Sequence, residues 1–522
     1  MRRKKTTIEK KQEKPNSTLP FVKPKGKVFD YYDNLETGLE AVKNFYSLYD
    51  KFPKNVKNEA KGIAFVSKKD IEGRVDLRKE LIFTIDGDDS RDFDDAVSIE
   101  KTAIGYKLGV HIADVAHYIK LGSPIDKEAL KRGTSVYFPN AVFPMLPEEL
   151  SNGVCSLKED EDRLTISLVM NVDNSGNVVS YKIFESVIKS FARLTYKKCA
   201  LIIGGDKDMR KLYTPFVDSL ALMQELANIL TKKREKRGAI NFETYESEFD
   251  IEDDGVVGLR RAERLNSHHL IEEFMILANE TIAQHFNKIK APFVYRVHSK
   301  STIEKFEKLE VFLNSLGISH RLNLENLSPK DIQHFLSKVP EHLAGVVNKV
   351  VLRAMSKAVY ETKNKGHFGL ASEYYCHFTS PIRRYADLSI HRVIKESLKG
   401  NKLAGYKPVV AHAAKEATNR EILAEAAERK YNDFLKAKYM GEKIGDSFRG
   451  TISSITSFGF FVELDNTAEG LVRLESLDGN YEYIEHAMIL KGKQIFKLGQ
   501  EVEVVVASAR GDRIDFILMP ND

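Results

Sequence analysis

No apolar run in the 522 residues is long enough to cross a bilayer, which argues against a helical membrane protein. Only three cysteines occur, Cys155, Cys199 and Cys376, odd in number and far apart, so neither a disulfide framework, nor a disulfide-linked partner, nor a zinc site is suggested. That usage fits a reducing cytoplasm. No Walker A loop, dinucleotide fingerprint or Gly-x-Ser-x-Gly elbow is present, so nucleotide-driven motor action has no support. Strong charge of one sign is also missing. The 80 Lys and Arg against 75 Asp and Glu leave +5, mild for a nucleic-acid binder, although an acidic cluster sits inside that sum. At 42% apolar and 30% charged, the composition is ordinary and globular, with room for roughly two to four domains.

The acidic cluster is the stretch Thr84 to Val97, where Asp86, Asp88, Asp89, Asp92, Asp94 and Asp95 fall within ten residues. Leu81, Ile82, Phe83 and Ile85 read as a short buried strand, and Ala96, Val97 and Ile99 begin another, so the turn between them is held against a core. A solvated acidic loop would have no need of Phe93 between Asp92 and Asp94. A calcium EF-hand loop fails on register, since Arg91 and Val97 stand where Gly and Glu are required. Carboxylates packed this closely raise one another's pKa, and a hard cation, Mg²⁺ or Mn²⁺, is the economical way to neutralise them.

A second informative stretch is His377-Phe378-Thr379-Ser380-Pro381-Ile382-Arg383-Arg384-Tyr385-Ala386-Asp387. Ser380 and Pro381 predict a helix start, with Ile382, Tyr385, Leu388 and Ile394 on its buried face. Two arginines in a first turn oppose the helix dipole, which suggests a local anion, and a helix N-terminus with Arg suits phosphate. Arg384 can instead pair with Asp387.

The string Thr84 to Val97 closely resembles the signature of the ribonuclease II/ribonuclease R family of exoribonucleases. The resemblance implies a metal site at Asp86, Asp92, Asp94 and Asp95, with Ser90 replacing the usual Ala. It implies an arginine on the scissile phosphate at Arg383, and a glutamate near that phosphate at Glu428, with Glu425 as the competing assignment. Tyr137, in an aromatic and proline-rich loop, matches the tyrosine that stacks on the terminal base. Tyr196 and Phe242 match two further channel aromatics, and Glu272 matches a glutamate near the substrate. On the ribonuclease R side of the family, longer members carry cold-shock barrels ahead of this point, which this chain is expected to lack.

In chain order, residues 1–28 hold ten Lys or Arg and should form a disordered, phosphate-attracting tail. Residues 29–62 form a helical lead-in, with Leu35, Leu39, Val42, Phe45 and Tyr49 at helical spacing. Residues 63–440 are expected to be the catalytic domain. Within it Leu108, Val110 and Ile112, then Leu164 to Val172, alternate as strands; Phe143 and Met145 read as buried. Phe216, Leu220, Met223 and Leu230 share one helix face, and Ser267 reads as the N-cap of a helix bearing Leu270, Phe274 and Ala278. From Glu421 to Lys438 runs a long charged helix. His111, His117, His268, His269 and His298 lack metal-ligand spacing and read as structural. Residues 441–522 show five short strands with glycine punctuation, the count of an OB barrel. Gly450, Ser457 to Val462 and Glu469 to Val472 resemble an S1 RNA-binding domain, which implies base stacking at Phe458 and Phe461, with Phe460 in the core. Arg473 replaces the usual His there.

The expected architecture is therefore α+β: a large mixed catalytic domain followed by a separately folded S1-type barrel. The expected protein is a monomeric, Mg²⁺-dependent, processive 3′ to 5′ exoribonuclease acting on single-stranded RNA, with Asp94, Asp95, Arg383 and Glu428 as its catalytic residues. The rivals are a non-catalytic RNA-binding regulator and an endoribonuclease using the same metal site.

Overall fold

The alternating apolar runs fold as β1 (Val75–Asp76), β2 (Thr84–Asp86), β3 (Asp95–Thr102), β4 (Gly105–Ala113), the hairpin β5 (Val136–Phe138) and β6 (Ala141–Phe143), β7 (Asp162–Asp173), β8 (Val178–Lys189) and β9 (Arg193–Thr195). This is a computed structural model, and it describes residues 34–520 except 243–244, 254, 316–317 and 319–326. The basic tail expected over 1–28 and the first residues of the lead-in lie outside the described residues. Five strands form one sheet in the order β1-β8-β7-β4-β3, antiparallel apart from the β1–β8 edge pair. β2 is not in it. It pairs in parallel with β9, placing Asp86 beside Thr195, while Asp95 starts β3 opposite Ile112. Reciprocal backbone hydrogen bonds between Phe83 and Val97 close the neck of the acidic turn.

The helices that matter are α1 (Leu35–Tyr46), α2 (Thr214–Arg237), α3 (Asn266–Lys288), α4 (Tyr385–Leu398) and α5 (Lys407–Gly441). Leu220 and Met223 of α2 and Leu270 and Phe274 of α3 share a core with Leu108, Val110, Leu168 and Met170 of the sheet. α4 is buried on every side from Tyr385 to Lys395, so its polar residues need partners. Arg392 bonds Asp126, Lys395 bonds Asp114 and Glu185, and His391 Nε2 donates to the Phe378 carbonyl. α1 ends at Tyr46, before Tyr49, because Ser47 turns into the left-handed region. It packs on α5 so closely that a Cβ on Gly38 would meet the Phe434 ring, which explains a glycine inside a helix.

β10 (Ser447–Thr456), β11 (Gly459–Leu464), β12 (Glu469–Arg473), β13 (Glu501–Arg510) and β14 (Arg513–Leu518) close into a barrel in the order β10-β11-β12-β14-β13. The expected α+β architecture and five-strand barrel are present. The barrel is not energetically separate, however. Its Ile452, Phe460 and Val504 share a core with Phe306, Leu309 and Val347 of the preceding helices and Met440 of α5. Lys349 pairs with Glu463 and Lys430 with Asp512 across the same seam. Deleting 441–522 would expose that apolar face. At about 1.5–3 kcal/mol per large side chain, the shortened chain is expected to melt about 10 °C or more below the full chain, or to aggregate, as scanning calorimetry would show. Among the described residues no helix is long and apolar enough to cross a membrane, and the three cysteines are free and buried.

Candidate active site

Phe93 points into the core beside Val154 and Leu157, so its neighbours Asp92 and Asp94 are turned toward a cleft. The backbone of the turn is fixed from several directions. Ser156 Oγ donates to the Arg91 carbonyl at 2.7 Å and accepts from the Phe93 N–H at 3.1 Å. Arg193 Nη2 donates to the Gly87 carbonyl at 2.8 Å and also to that of Asp88. Ala113 N–H holds the Asp94 carbonyl at 2.9 Å.

The loop before α4 docks on this turn. Ile382 N–H donates to Asp94 Oδ1 at 2.8 Å, and Arg383 Nε lies 3.5 Å from Asp94 Oδ2 while its Nη2 donates to Ser380 Oγ at 3.0 Å. Arg384 grips both Asp387 oxygens at 2.9 and 2.8 Å, as its spacing allowed. Ser380 and Pro381 do not start the helix; α4 begins at Tyr385. Asp387 accepts the Ser380 N–H at 2.8 Å, which folds residues 380–384 into a preceding turn and frees Arg383 to face the carboxylates.

The cleft has a volume of about 430 Å³ and is lined by Asp86, Asp92, Asp94, Asp95, Tyr137, Tyr196, Glu272 and Arg383, among others. Tyr137 Oη donates to Asp92 Oδ2 at 2.7 Å, and its backbone N–H donates to Glu428 Oε1 at 3.0 Å. Glu428 therefore meets the cleft through Tyr137, whereas Glu425 pairs with Lys357 on the surface. Tyr196 stacks on His268 with ring centres 4.0 Å apart. Ser267 does not cap α3, which begins at Asn266; its hydroxyl holds the Tyr196 carbonyl at 2.6 Å. Glu272 pairs with Arg264 at the cleft wall. Phe242 is not brought there. It rests against the core shared by the helices and the barrel. On the barrel Phe458 is 55% exposed, Phe461 stands edge-on to it at 6.3 Å, and Arg473 pairs with Asp515 at 3.0 Å. A larger cleft of about 1170 Å³ lies on the Ser90–Phe93 side of the turn, but it is lined by none of the four aspartates.

Burial, together with Asp95 and Asp92, raises the Asp86 pKa well above the carboxylate range. Burial also raises Asp94, against the pull of Arg383, and pushes Asp95 up to about 6. Asp86 Oδ2 and Asp94 Oδ2 are buried without a hydrogen-bond partner. Such orphaned acceptors are costly unless something positive meets them. Among the described residues no three His, Cys, Asp or Glu side chains draw together into a ready-made ion cage. Magnesium does not require one, since it binds through one or two carboxylates and completes its shell with water and phosphate oxygens. The donor set fits a hard divalent cation.

The sign of the pH effect follows from Asp95. Its folded pKa of about 6 exceeds the usual value of about 3.9, so its stabilising contribution is complete below about pH 4 and lost as pH rises through about 6. In chelator the melting temperature is expected to carry a component that falls across that window and is absent in Asp95→Asn. Divalent cation added at neutral pH should raise the melting temperature of the parent more than that of the variant.

The RNB domain family model matches residues 74–400, and that of the S1 RNA binding domain matches 442–516. Ribonuclease R 1 of Lactococcus lactis is 41% identical over 489 residues, covering 91% of this chain and 60% of the relative. Ribonuclease R of Thermotoga maritima is 43% identical over 490 residues, covering 90% and 69%. The chain thus spans about 60–70% of the length of these relatives. Among solved structures, Mycoplasma genitalium RNase R in complex with ribose methylated single-stranded RNA superposes with a TM-score of 0.87 at 28% identity, covering 93% of this chain and 78% of that one. With the RNB model matching more than half of the chain and the Thermotoga relative covered over more than two thirds of its length, the chain belongs to the ribonuclease R family of RNB-domain proteins.

Proposed function

We propose that this chain degrades single-stranded RNA from its 3′ end, processively and with Mg²⁺ or Mn²⁺ as cofactor, releasing nucleoside 5′-monophosphates in the cytoplasm as a monomer. The observation that carries the reading is the convergence of Asp86, Asp92, Asp94, Asp95 and Arg383 on one cleft, with Asp86 Oδ2 and Asp94 Oδ2 buried without a hydrogen bond. Residues 63–440 act as the catalytic unit and 441–522 add RNA contacts.

One or two carboxylates from among Asp86, Asp92, Asp94 and Asp95 would hold the divalent cation, and the others would add negative charge around it. When bound, it supplies activation of water and stabilisation of the leaving oxygen. Arg383, fixed by Asp94 and Ser380, neutralises charge on the scissile phosphate. Tyr137 offers a ring for the terminal base while its hydroxyl orients Asp92, and Glu428 fixes its backbone. Phe458, Phe461 and Arg473 of the barrel, with Tyr196 and Glu272 of the body, are assigned to RNA contact, and Phe242, packed against the second core, is withdrawn from it.

Purified protein incubated with 5′-end-labelled single-stranded RNA and Mg²⁺ should yield a short, discrete end fragment with no internal products, and nothing in chelator. Scattered internal cleavage would favour an endonuclease, and binding without cleavage a regulator. Tyr137→Ala should lengthen the final fragment rather than abolish cleavage, because stacking contributes about 1–3 kcal/mol and loosens the grip on short RNA first. An unchanged fragment and unchanged short-RNA affinity would count against the stacking role.

A further inference from the structure

Tyr375, His377 and Thr379 all line the catalytic cleft, at alternate positions of the irregular segment 375–379 that leads into the Arg383 loop. The segment is anchored from behind. Arg296 N–H donates to the Tyr375 carbonyl at 2.9 Å, and Phe378 N–H donates to Asn279 Oδ1 at 2.7 Å.

His377 has the most specific arrangement of the three. Its Nδ1 lies 2.8 Å from Tyr360 Oη, a hydroxyl with no other hydrogen-bond partner among the described residues. Tyr360 is 6% exposed, and burial raises its pKa, so it stays a phenol, and its buried proton has only His377 Nδ1 to meet. Arg296, paired with Glu421, lies 4.6 Å from the Tyr360 ring centre and braces it. Burial and the nearby Arg384 and Arg296 charges keep the imidazole neutral. With Nδ1 accepting, the ring proton must sit on Nε2.

We propose that Tyr375, His377 and Thr379 form a backbone-reading wall of the cleft, in which Tyr360 sets His377 to donate its Nε2–H to an acceptor oxygen on the ribose-phosphate chain near the RNA 3′ end. The inference rests on the proposed RNA substrate and adds a subsite to it. The acceptor is a phosphate oxygen or a ribose 2′-oxygen, both features of the backbone, so the contact is independent of base sequence.

The test is a coupling measurement on the full chain in chelator, using fluorescence anisotropy of a short labelled oligoribonucleotide. His377→Phe keeps a ring and removes the donor, and should weaken binding about tenfold; Tyr360→Phe leaves the cleft wall intact but releases the tautomer, and should weaken it about threefold. RNAs carrying one methylphosphonate linkage, or one 2′-deoxy sugar, are scanned over the four 3′-terminal positions. At one position the parent should lose about tenfold in affinity while His377→Phe loses under twofold. Coupling to the methylphosphonate identifies phosphate, and coupling to the deoxy sugar identifies the hydroxyl. Equal losses in parent and variant at every position would overturn the proposal, as would parental affinity in both variants. A parent that neither binds nor shortens RNA would instead sink the functional reading itself.

Discussion

Asp95→Asn is expected to slow single-turnover cleavage of single-stranded RNA at least about a thousandfold while leaving RNA affinity equal or slightly tighter. Asn nearly preserves shape, so β3 and its pairing with Ile112 should survive. What disappears is one anionic ligand for the cation, and with it one repulsive neighbour for RNA phosphates. Asp94→Asn should be as damaging for a second reason. Its Oδ1 can still accept the Ile382 N–H, but an amide in place of Oδ2 would present a donor to Arg383 Nε. Rate and affinity should be measured on the same preparation, with circular dichroism to check the fold. If both variants cleave within tenfold of the parent, the acidic turn is not the catalytic centre.

Arg383→Ala is expected to cost about a hundredfold to a thousandfold in the same assay, the range for removing one preorganised donor from a developing negative charge. Arg383→Lys should recover little, because the guanidinium reaches Asp94 and Ser380 at once and an ammonium cannot reproduce that planar fork. Arg384 offers the control. Its guanidinium is committed to buried Asp387, so Arg384→Lys should lower the melting temperature more than it changes the chemical step. A chemical step equally impaired in the Arg383 and Arg384 lysine variants would remove the distinction drawn between them.

The errors in reading the sequence share a cause. Ser380-Pro381 has the chemistry of a helix start, yet the helix waits until Tyr385, because Asp387, seven residues on, captures the Ser380 N–H. Ser267 likewise reads as a cap but is spent on the Tyr196 carbonyl, a partner 71 positions away. Both serines obey local preferences that a tertiary contact then outbids. The barrel looks detachable because its strands and glycines are self-sufficient in pattern. Nothing in that pattern says that Phe306 and Val347 will join its core.

By itself the sequence determined three strands of the sheet, β3, β4 and β7, the five strands of the barrel, and the acidic turn with its flanking apolar anchors, because period-two alternation, glycine punctuation and charge density are local properties, whereas β1 and β8 were not read from it. It also set Arg384 against Asp387, a pairing within one turn of chain. Only the tertiary structure decided that Asp86 would lie beside Thr195, that Ile382 and Arg383 would close over Asp94, that Glu428 rather than Glu425 would hold Tyr137, and that Phe242 would leave the cleft for the second core. The same holds for Tyr360 and His377. Each of these depends on which surfaces meet once the cores condense, and burial, which raises the aspartate pKa values and strips their oxygens of partners, exists only after that has happened.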